Sequence, residues 1–137
     1  MRSGLRAVWD TNVLISAFLL RGRSSLLVQA LFANKITLFV SEPILKEYFE
    51  VAIRPKFGRS FAEIKRLLQL LTPHMVLVTP KTRLEQILTD PVDLKFIECA
   101  LEAKAGYLVT GDKSLLALRR YQRVKIVSVQ TFLRRVR

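Results

Sequence analysis

Acidic side chains are the residues of this sequence whose types and spacing could do chemistry. The chain has 11 Asp and Glu residues. Helix starts and polar helix faces account for five of them, and Glu85 lies in a segment without a clear pattern. Those that need another explanation are Asp10, Glu47, Asp90, Asp93 and Asp112. Carboxylates are hard oxygen ligands that suit Mg²⁺ or Mn²⁺ rather than zinc. If the fold brings these acids together, they would form a site for such an ion.

Asp10 lies where the apolar segment Ala7–Trp9 meets a helix predicted to begin near Asn12. An ionised carboxylate at the rim of an apolar core is costly unless its charge is compensated. A divalent cation would compensate it. Asp10 is therefore the first candidate ligand.

Asp112 also stands just past a predicted strand, which covers residues 107–110. In an open parallel sheet such strand ends lie along one edge, and ligands bind in the crevice there. Asp10 and Asp112 should then lie on the same edge, where two carboxylates repel each other and raise each other's pKa. A bound cation would relieve that repulsion.

Asp93 opens a predicted helix and is in register with Phe96 and Ile97, so it should lie along the buried face. That helix starts at the same sheet edge in a right-handed strand–helix–strand unit. On this pattern alone, capping is the favoured explanation, because Asp90 at the N-cap, Pro91 after it and Asp93 at the third position make an ordinary helix start.

Glu47 interrupts the apolar stripe formed by Ile44 and Val51 on a predicted helix. It becomes a fourth inward carboxylate if the helix faces the same crevice. The alternative is a side chain at the margin of the buried face that reaches solvent and pairs with Lys46 or Arg54.

Apolar strands alternate with amphipathic helices along the chain, which predicts one α/β domain over residues 1–137. The expected fold has three α/β/α layers around a mostly parallel sheet, because its strands read as continuous apolar runs. The five predicted strands cover residues 5–9, 36–40, 75–78, 107–110 and 124–129. Ser60–Glu63 matches a capping box and Gly106 a helix C-terminal cap. Thr79–Thr89 shows no clear pattern.

Composition excludes several classes of protein. Half of the 137 residues are hydrophobic, which is typical of a globular chain. Cys99 and His74 are the only residues of their types, so a disulfide framework and a Cys- or His-rich zinc site are excluded. The apolar run Val13–Leu20 is too short to span a bilayer, and the N-terminus lacks a signal-peptide pattern. We therefore expect a cytoplasmic protein.

The net charge of the chain indicates what kind of partner it binds. There are 23 Lys and Arg residues, and the formal net charge is +12. Such an excess predicts a polyanionic partner, with nucleic acid as the leading candidate. The same positive charge would also suit a protein that needs it only for solubility or for binding one acidic protein. Metal-held carboxylates that meet a phosphate backbone predict phosphodiester hydrolysis.

Four short motifs resemble the PIN-domain family, and more closely the single-domain VapC-like toxins of prokaryotic toxin–antitoxin systems. They are VWDTNVL (8–14), SEPILKE (41–47), DPVD leading to FIECA (90–93 and 96–100) and YLVTGDKSLL (107–116). Each motif is short, but the four occur in order at spacing typical of the family. The resemblance covers essentially the whole chain.

The resemblance implies that the family's acidic quartet falls on Asp10, Glu47, Asp93 and Asp112. It implies a Mg²⁺- or Mn²⁺-dependent ribonuclease, a small antitoxin that blocks it, and a homodimer or higher homo-oligomer. It also implies small polar residues that hydrogen-bond the acids or the metal's water ligands: Asn12, Thr110 and Ser114. Where related toxins often carry another polar residue after the third acid, this chain has Leu94, which leaves open whether Asp90 is an auxiliary ligand.

Three other interpretations differ in what they require. A haloacid-dehalogenase-type phosphatase needs a second Asp two residues after the first, and this chain has Asn12 there. A response-regulator receiver needs paired acids after the first strand and a phosphoacceptor Asp, whereas Ser41 and Glu42 follow the second strand. The remaining alternative is a catalytically weak PIN-like module that binds RNA or protein without cutting it.

Overall fold

A parallel sheet lies at the centre of the computed structural model, which describes residues 4–20, 22–84 and 94–136. Within these residues the sheet has six strands in the order β3-β2-β1-β4-β6-β5, parallel except for β5 against β6. The strands are β1 (Leu5–Trp9), β2 (Ile36–Val40), β3 (Met75–Leu77), β4 (Tyr107–Val109), β5 (Arg120–Tyr121) and β6 (Val124–Val127).

The α-helices follow the strands in alternation. They are α1 (Thr11–Leu19), α2 (Ser25–Phe32), α3 (Glu42–Ala52), α4 (Phe61–Leu71), α5 (Leu94–Ala103), α6 (Lys113–Leu118) and α7 (Val129–Arg135). All five residues of β2 and the last three of β1 are buried. Because successive side chains of a strand point to opposite faces, both faces of the central sheet are covered. The predicted three-layer α/β/α fold is confirmed.

The register of the central strands decides where the polar residues after them lie. Trp9 at the end of β1 pairs with Val109 at the end of β4, and the Asp10 N–H donates to the Val109 carbonyl at 3.0 Å. Thr110 continues the ladder, donating from its N–H to Val127 at 2.9 Å. The residues that follow β1 and β4 therefore emerge side by side at one edge of the sheet.

The prediction of five strands was wrong by one. Residues 120–121 form β5, which pairs antiparallel with β6. Arg119 and Gln122 on either side have positive φ angles of 61° and 52°, so the chain reverses within a very short hairpin. A two-residue strand between such turns has no hydrophobic period that a sequence pattern could reveal.

Helix ends were predicted with mixed success. The Ser60–Glu63 capping box is present, with bonds of 3.1 and 3.2 Å, and its backbone hydrogen bond lowers the pKa of Glu63. Gly106 is not the cap of α5. Lys104 adopts the left-handed conformation instead, with φ 54°, while the Gly106 N–H donates to the Arg6 carbonyl at 3.0 Å.

Two acids of α5 hold the segment that follows β3. The Lys81 N–H donates to Glu102 at 3.0 Å and the Leu84 N–H donates to Glu98 at 2.7 Å. The rest of the segment that gave no clear sequence pattern, from Glu85 onward, lies outside the described residues. In the part of the chain that is described, no helix is long and apolar enough to cross a membrane.

Candidate active site

Asp10 is a buried carboxylate fixed by the main chain. It caps α1, with Oδ1 accepting from the Val13 N–H at 2.9 Å, and Oδ2 accepts from the Thr110 hydroxyl. Only 6% of the residue is exposed. Burial raises the pKa of Asp10, the hydrogen bonds oppose that rise, and the negative charge of Asp112 adds to it. The net result is a carboxyl group whose pKa lies above its ordinary value.

Thr110 joins Asp10 to Asp112. Its fully buried hydroxyl donates to Asp10 Oδ2 and accepts from the Asp112 N–H at 3.0 Å. Asp112 itself caps α6, with Oδ1 accepting from the Ser114 N–H at 2.7 Å and from the Leu115 N–H at 3.4 Å. We call Asp10 and Asp112 the strand-end pair, because each lies within three residues of the end of a central strand.

Glu47 is held differently. It lies on α3, where Oε2 accepts from the Thr11 hydroxyl and Oε1 accepts from the Lys95 ammonium at 2.5 Å. The side chains of Lys95 and Glu47 are 20% and 25% exposed. Pairing of Glu47 with Lys46 or Arg54 is therefore wrong in the described structure, where Lys46 instead lies 4.0 Å from Glu50.

Tyr48 fixes α3 against the end of β1. Its buried hydroxyl donates to the Trp9 carbonyl at 2.6 Å. Burial raises the pKa of Tyr48 well above its ordinary value, so the hydroxyl remains a donor. This bond anchors the neighbouring Glu47 near Thr11, the residue that follows Asp10. The strand-end pair and Glu47 are thus brought to the same end of the sheet.

The structure places the supporting polar residues unevenly. Thr110 contacts both acids of the strand-end pair, as described above. Asn12 is exposed and lines a cavity of about 510 Å³ together with Thr110, Arg23 and Gln130. Ser114 contacts Asp112 through its backbone N–H.

A divalent metal ion fits the chemistry of these donors. Asp10 and Asp112 offer carboxylate oxygens near enough for the Asp112 charge to raise the pKa of Asp10, and a cation would stabilise the ionised Asp10 that burial and Asp112 disfavour. Across residues 4–20, 22–84 and 94–136, however, no three Asp, Glu, His or Cys side chains form a group that could hold a metal ion. Two further predicted ligands, Asp90 and Asp93, lie outside the described residues.

Cys99 is excluded as a nucleophile by its surroundings. The thiol is buried in the core, and burial raises its pKa to about 12. Because the thiolate is the reactive form, this residue contributes to core packing and not to chemistry.

Sequence reasoning missed three residues of the site: Thr11, Tyr48 and Lys95. None of the three was assigned a role at the site from the sequence. Their partners are 36, 39 and 48 positions away. The only signal in the sequence is that each stands one or two residues from a candidate acid.

Comparison with known proteins gives consistent results. A family model described as PIN domain matches residues 6–114. An uncharacterised protein of Methanocaldococcus jannaschii is 35% identical over 119 residues, which cover 84% of this chain and 76% of that protein. Among solved structures, a chain from the crystal structure of VapBC2 of Rickettsia felis, which is bound to a DNA fragment from the VapBC2 promoter, superposes with a TM-score of 0.61. It is 13% identical, and the match covers 90% of this chain and 98% of that one.

Proposed function

Because this chain belongs to the PIN-domain family, we propose that it is a Mg²⁺- or Mn²⁺-dependent endoribonuclease. We further propose that it is the toxin of a type II toxin–antitoxin pair. The observation that carries the nuclease proposal is the strand-end pair: the Thr110 hydroxyl links the Asp10 carboxylate to the backbone N–H of Asp112 in a protein of net charge +12. Two adjacent acids on so basic a protein suit a cation and, beyond it, a phosphate backbone.

Asp10 and Asp112 would hold the ion first. Glu47, which forms no metal-holding group with them in the described structure, would join them when the metal binds, with Asp93 as the fourth ligand and Asp90 as a candidate auxiliary one. A divalent ion bound there would supply an activated water molecule and neutralise charge on the scissile phosphate. Thr110 ties the Asp10 carboxylate to the backbone of Asp112, and Thr11 orients Glu47 toward the same edge. The basic residues of the chain would hold the RNA backbone.

The proposed partners follow from the family and the fold match. We propose a small antitoxin protein, an RNA substrate and a homodimer or higher homo-oligomer in the cytoplasm. The match to a chain of VapBC2 supports the toxin–antitoxin assignment at the level of the fold.

A catalytically weak module that binds RNA or protein is the second candidate. The ion pair between Glu47 and Lys95 favours it, because a carboxylate that already has a cation has less need of a metal ion. The two candidates differ in one observable property, which is metal-dependent cleavage.

The test is cleavage of a mixed RNA pool by the purified protein with Mn²⁺, with Mg²⁺ and with chelator. Asp112→Asn is the inactive comparison, and Glu50→Gln is the matched control, because Glu50 is an exposed acid outside the site. Cleavage that needs metal and is lost only in Asp112→Asn supports the nuclease. RNA binding that weakens steeply with salt, without cleavage under any condition, supports the binding module instead.

A further inference from the structure

The Lys95–Glu47 ion pair differs from the other ion pairs of the described residues. Lys46–Glu50 and Arg59–Glu63 are exposed pairs whose members are four residues apart in sequence. Their nitrogen–oxygen distances are 4.0 and 3.7 Å. Such surface pairs contribute little to stability. Lys95 and Glu47 come from different helices, lie 2.5 Å apart and are only about one-fifth to one-quarter exposed. The Lys95–Glu47 contact therefore depends on how two helices pack together, whereas each surface pair depends only on spacing along the chain.

The position of Lys95 makes the contact relevant to the metal site. It lies in the first turn of α5, and its ammonium binds Oε1 of a carboxylate whose other oxygen is held by Thr11. Thr11 is adjacent in sequence to Asp10. In the described residues neither Asp10 nor Asp112 has an ion-pair partner within salt-bridge distance. Lys95 therefore gives the Glu47 side of the site a paired positive charge that the strand-end pair lacks.

We propose that Lys95 is the resident counter-ion of Glu47 and competes with the divalent ion for that carboxylate. This inference rests on the proposed function, because it concerns the same metal site. A carboxylate has about four lone-pair positions, so Glu47 can bind a metal while Thr11 still donates to it. The ammonium and the metal would then share one carboxylate at short range and repel each other. Lys95 thus positions Glu47 in the metal-free protein and lowers the affinity for metal.

This role predicts an unusual result of mutation. Removal of a residue that only holds a ligand in place lowers metal affinity, or leaves it unchanged. Removal of a competing cation raises it. We expect Lys95→Met to bind Mn²⁺ about thirtyfold more tightly, which is the effect of a unit charge about 4 Å from a divalent ion even at the dielectric constant of water.

The experiment is titration of the metal-free protein with Mn²⁺, with free Mn²⁺ measured by electron paramagnetic resonance and no RNA present. Lys95→Gln can still hydrogen-bond to Glu47 but has no charge, so it should also bind more tightly, whereas Lys95→Arg should resemble the wild type. Lys46→Met is the matched control: it removes the same charge from the exposed neighbour of Glu47 and should leave affinity unchanged.

The outcomes separate this inference from the proposed function. If the wild type binds Mn²⁺ and Lys95→Met and Lys95→Gln bind it equally or more weakly, competition is refuted while the metal site stands. If Lys46→Met tightens binding as much as Lys95→Met, the effect is one of net charge, and the specific role of Lys95 is refuted. If the wild type binds no Mn²⁺, the metal-dependent function fails, and the inference fails with it.

Discussion

The carboxylates of the strand-end pair and of Glu47 differ in which groups contact them. The carboxylates of Asp10 and Asp112 accept from backbone N–H groups, the Thr110 hydroxyl joins Asp10 to the Asp112 backbone, and no ion pair within 4 Å involves either acid in the described residues. Glu47 is fixed by two side chains, of which one is a lysine. The strand-end pair is hydrogen-bonded to the main chain, but its negative charge is not paired with a cation in the described residues. The arrangement around Glu47 is neutralised and depends on two helices keeping their relative positions.

This difference shows which part of the site most needs a cation. Burial and mutual repulsion raise the pKa of Asp10, so its ionised form is disfavoured without a positive charge nearby. Glu47 already has one. We therefore expect the strand-end pair to dominate metal binding, and Glu47 to adjust it.

The largest expected effect comes from the strand-end pair. Asp10→Asn and Asp112→Asn should each lower RNA cleavage by about a thousandfold, because a bound metal contributes several kcal/mol of charge stabilisation in the transition state. The fold should survive, since Asn is nearly as good an N-cap as Asp. Single-turnover cleavage rates and circular dichroism measure the two effects. Normal turnover in both variants would show that the pair is not the catalytic site.

Thr110→Val should have the next largest effect. It removes the hydroxyl that links Asp10 to Asp112 while it keeps the shape of the buried side chain, and loss of such an outer hydrogen bond commonly lowers metal affinity or activity by about 10- to 100-fold. Thr110→Ser retains the hydroxyl and is the control. Equal Mn²⁺ affinity in all three proteins would mean that the linkage has no role in holding the metal.

Thr11→Val should have a smaller effect, of roughly tenfold or less on Mn²⁺ affinity. Lys95 and the Tyr48 anchor still hold the Glu47 side of the site in this variant, whereas nothing comparable replaces Thr110. Thr11→Ser again serves as the control, and both proteins are measured by calorimetric titration with Mn²⁺. A loss larger than that of Thr110→Val would reverse the ranking of the two sides.

The smallest effect concerns the stability of the metal-free protein. A carboxyl whose folded pKa exceeds its unfolded value of about 4 contributes stability that is complete below the unfolded pKa and is lost as pH rises through the folded pKa. In chelator, wild type should therefore lose stability relative to Asp10→Asn as pH increases from about 4 toward neutrality. Urea unfolding across this range measures the difference. A gap that stays constant, or changes in the wild type's favour, would contradict the raised pKa of Asp10.

Much of the fold could be predicted because its signals are local. The strands β1, β2 and β4 are mainly apolar, and strands that alternate with helices imply a parallel sheet. Asp10 and Asp112 lie within three residues of the ends of two of those strands, so their common edge follows from topology alone. The short β5 hairpin and the cap at Lys104 have no comparable local pattern, and sequence reasoning missed both.

The sequence by itself determined that acids follow the central strands and that the chain is strongly basic. Only the tertiary structure decided which partners those acids have. Thr110 reaches Asp10 across 100 positions and Lys95 reaches Glu47 across 48. Hydrophobic periodicity specifies which face of a helix is buried, but the rotation and depth at which α3 and α5 pack on the sheet specify which side chains meet. Those quantities depend on the whole core, and so the counter-ion of Glu47 could be identified only from the folded chain.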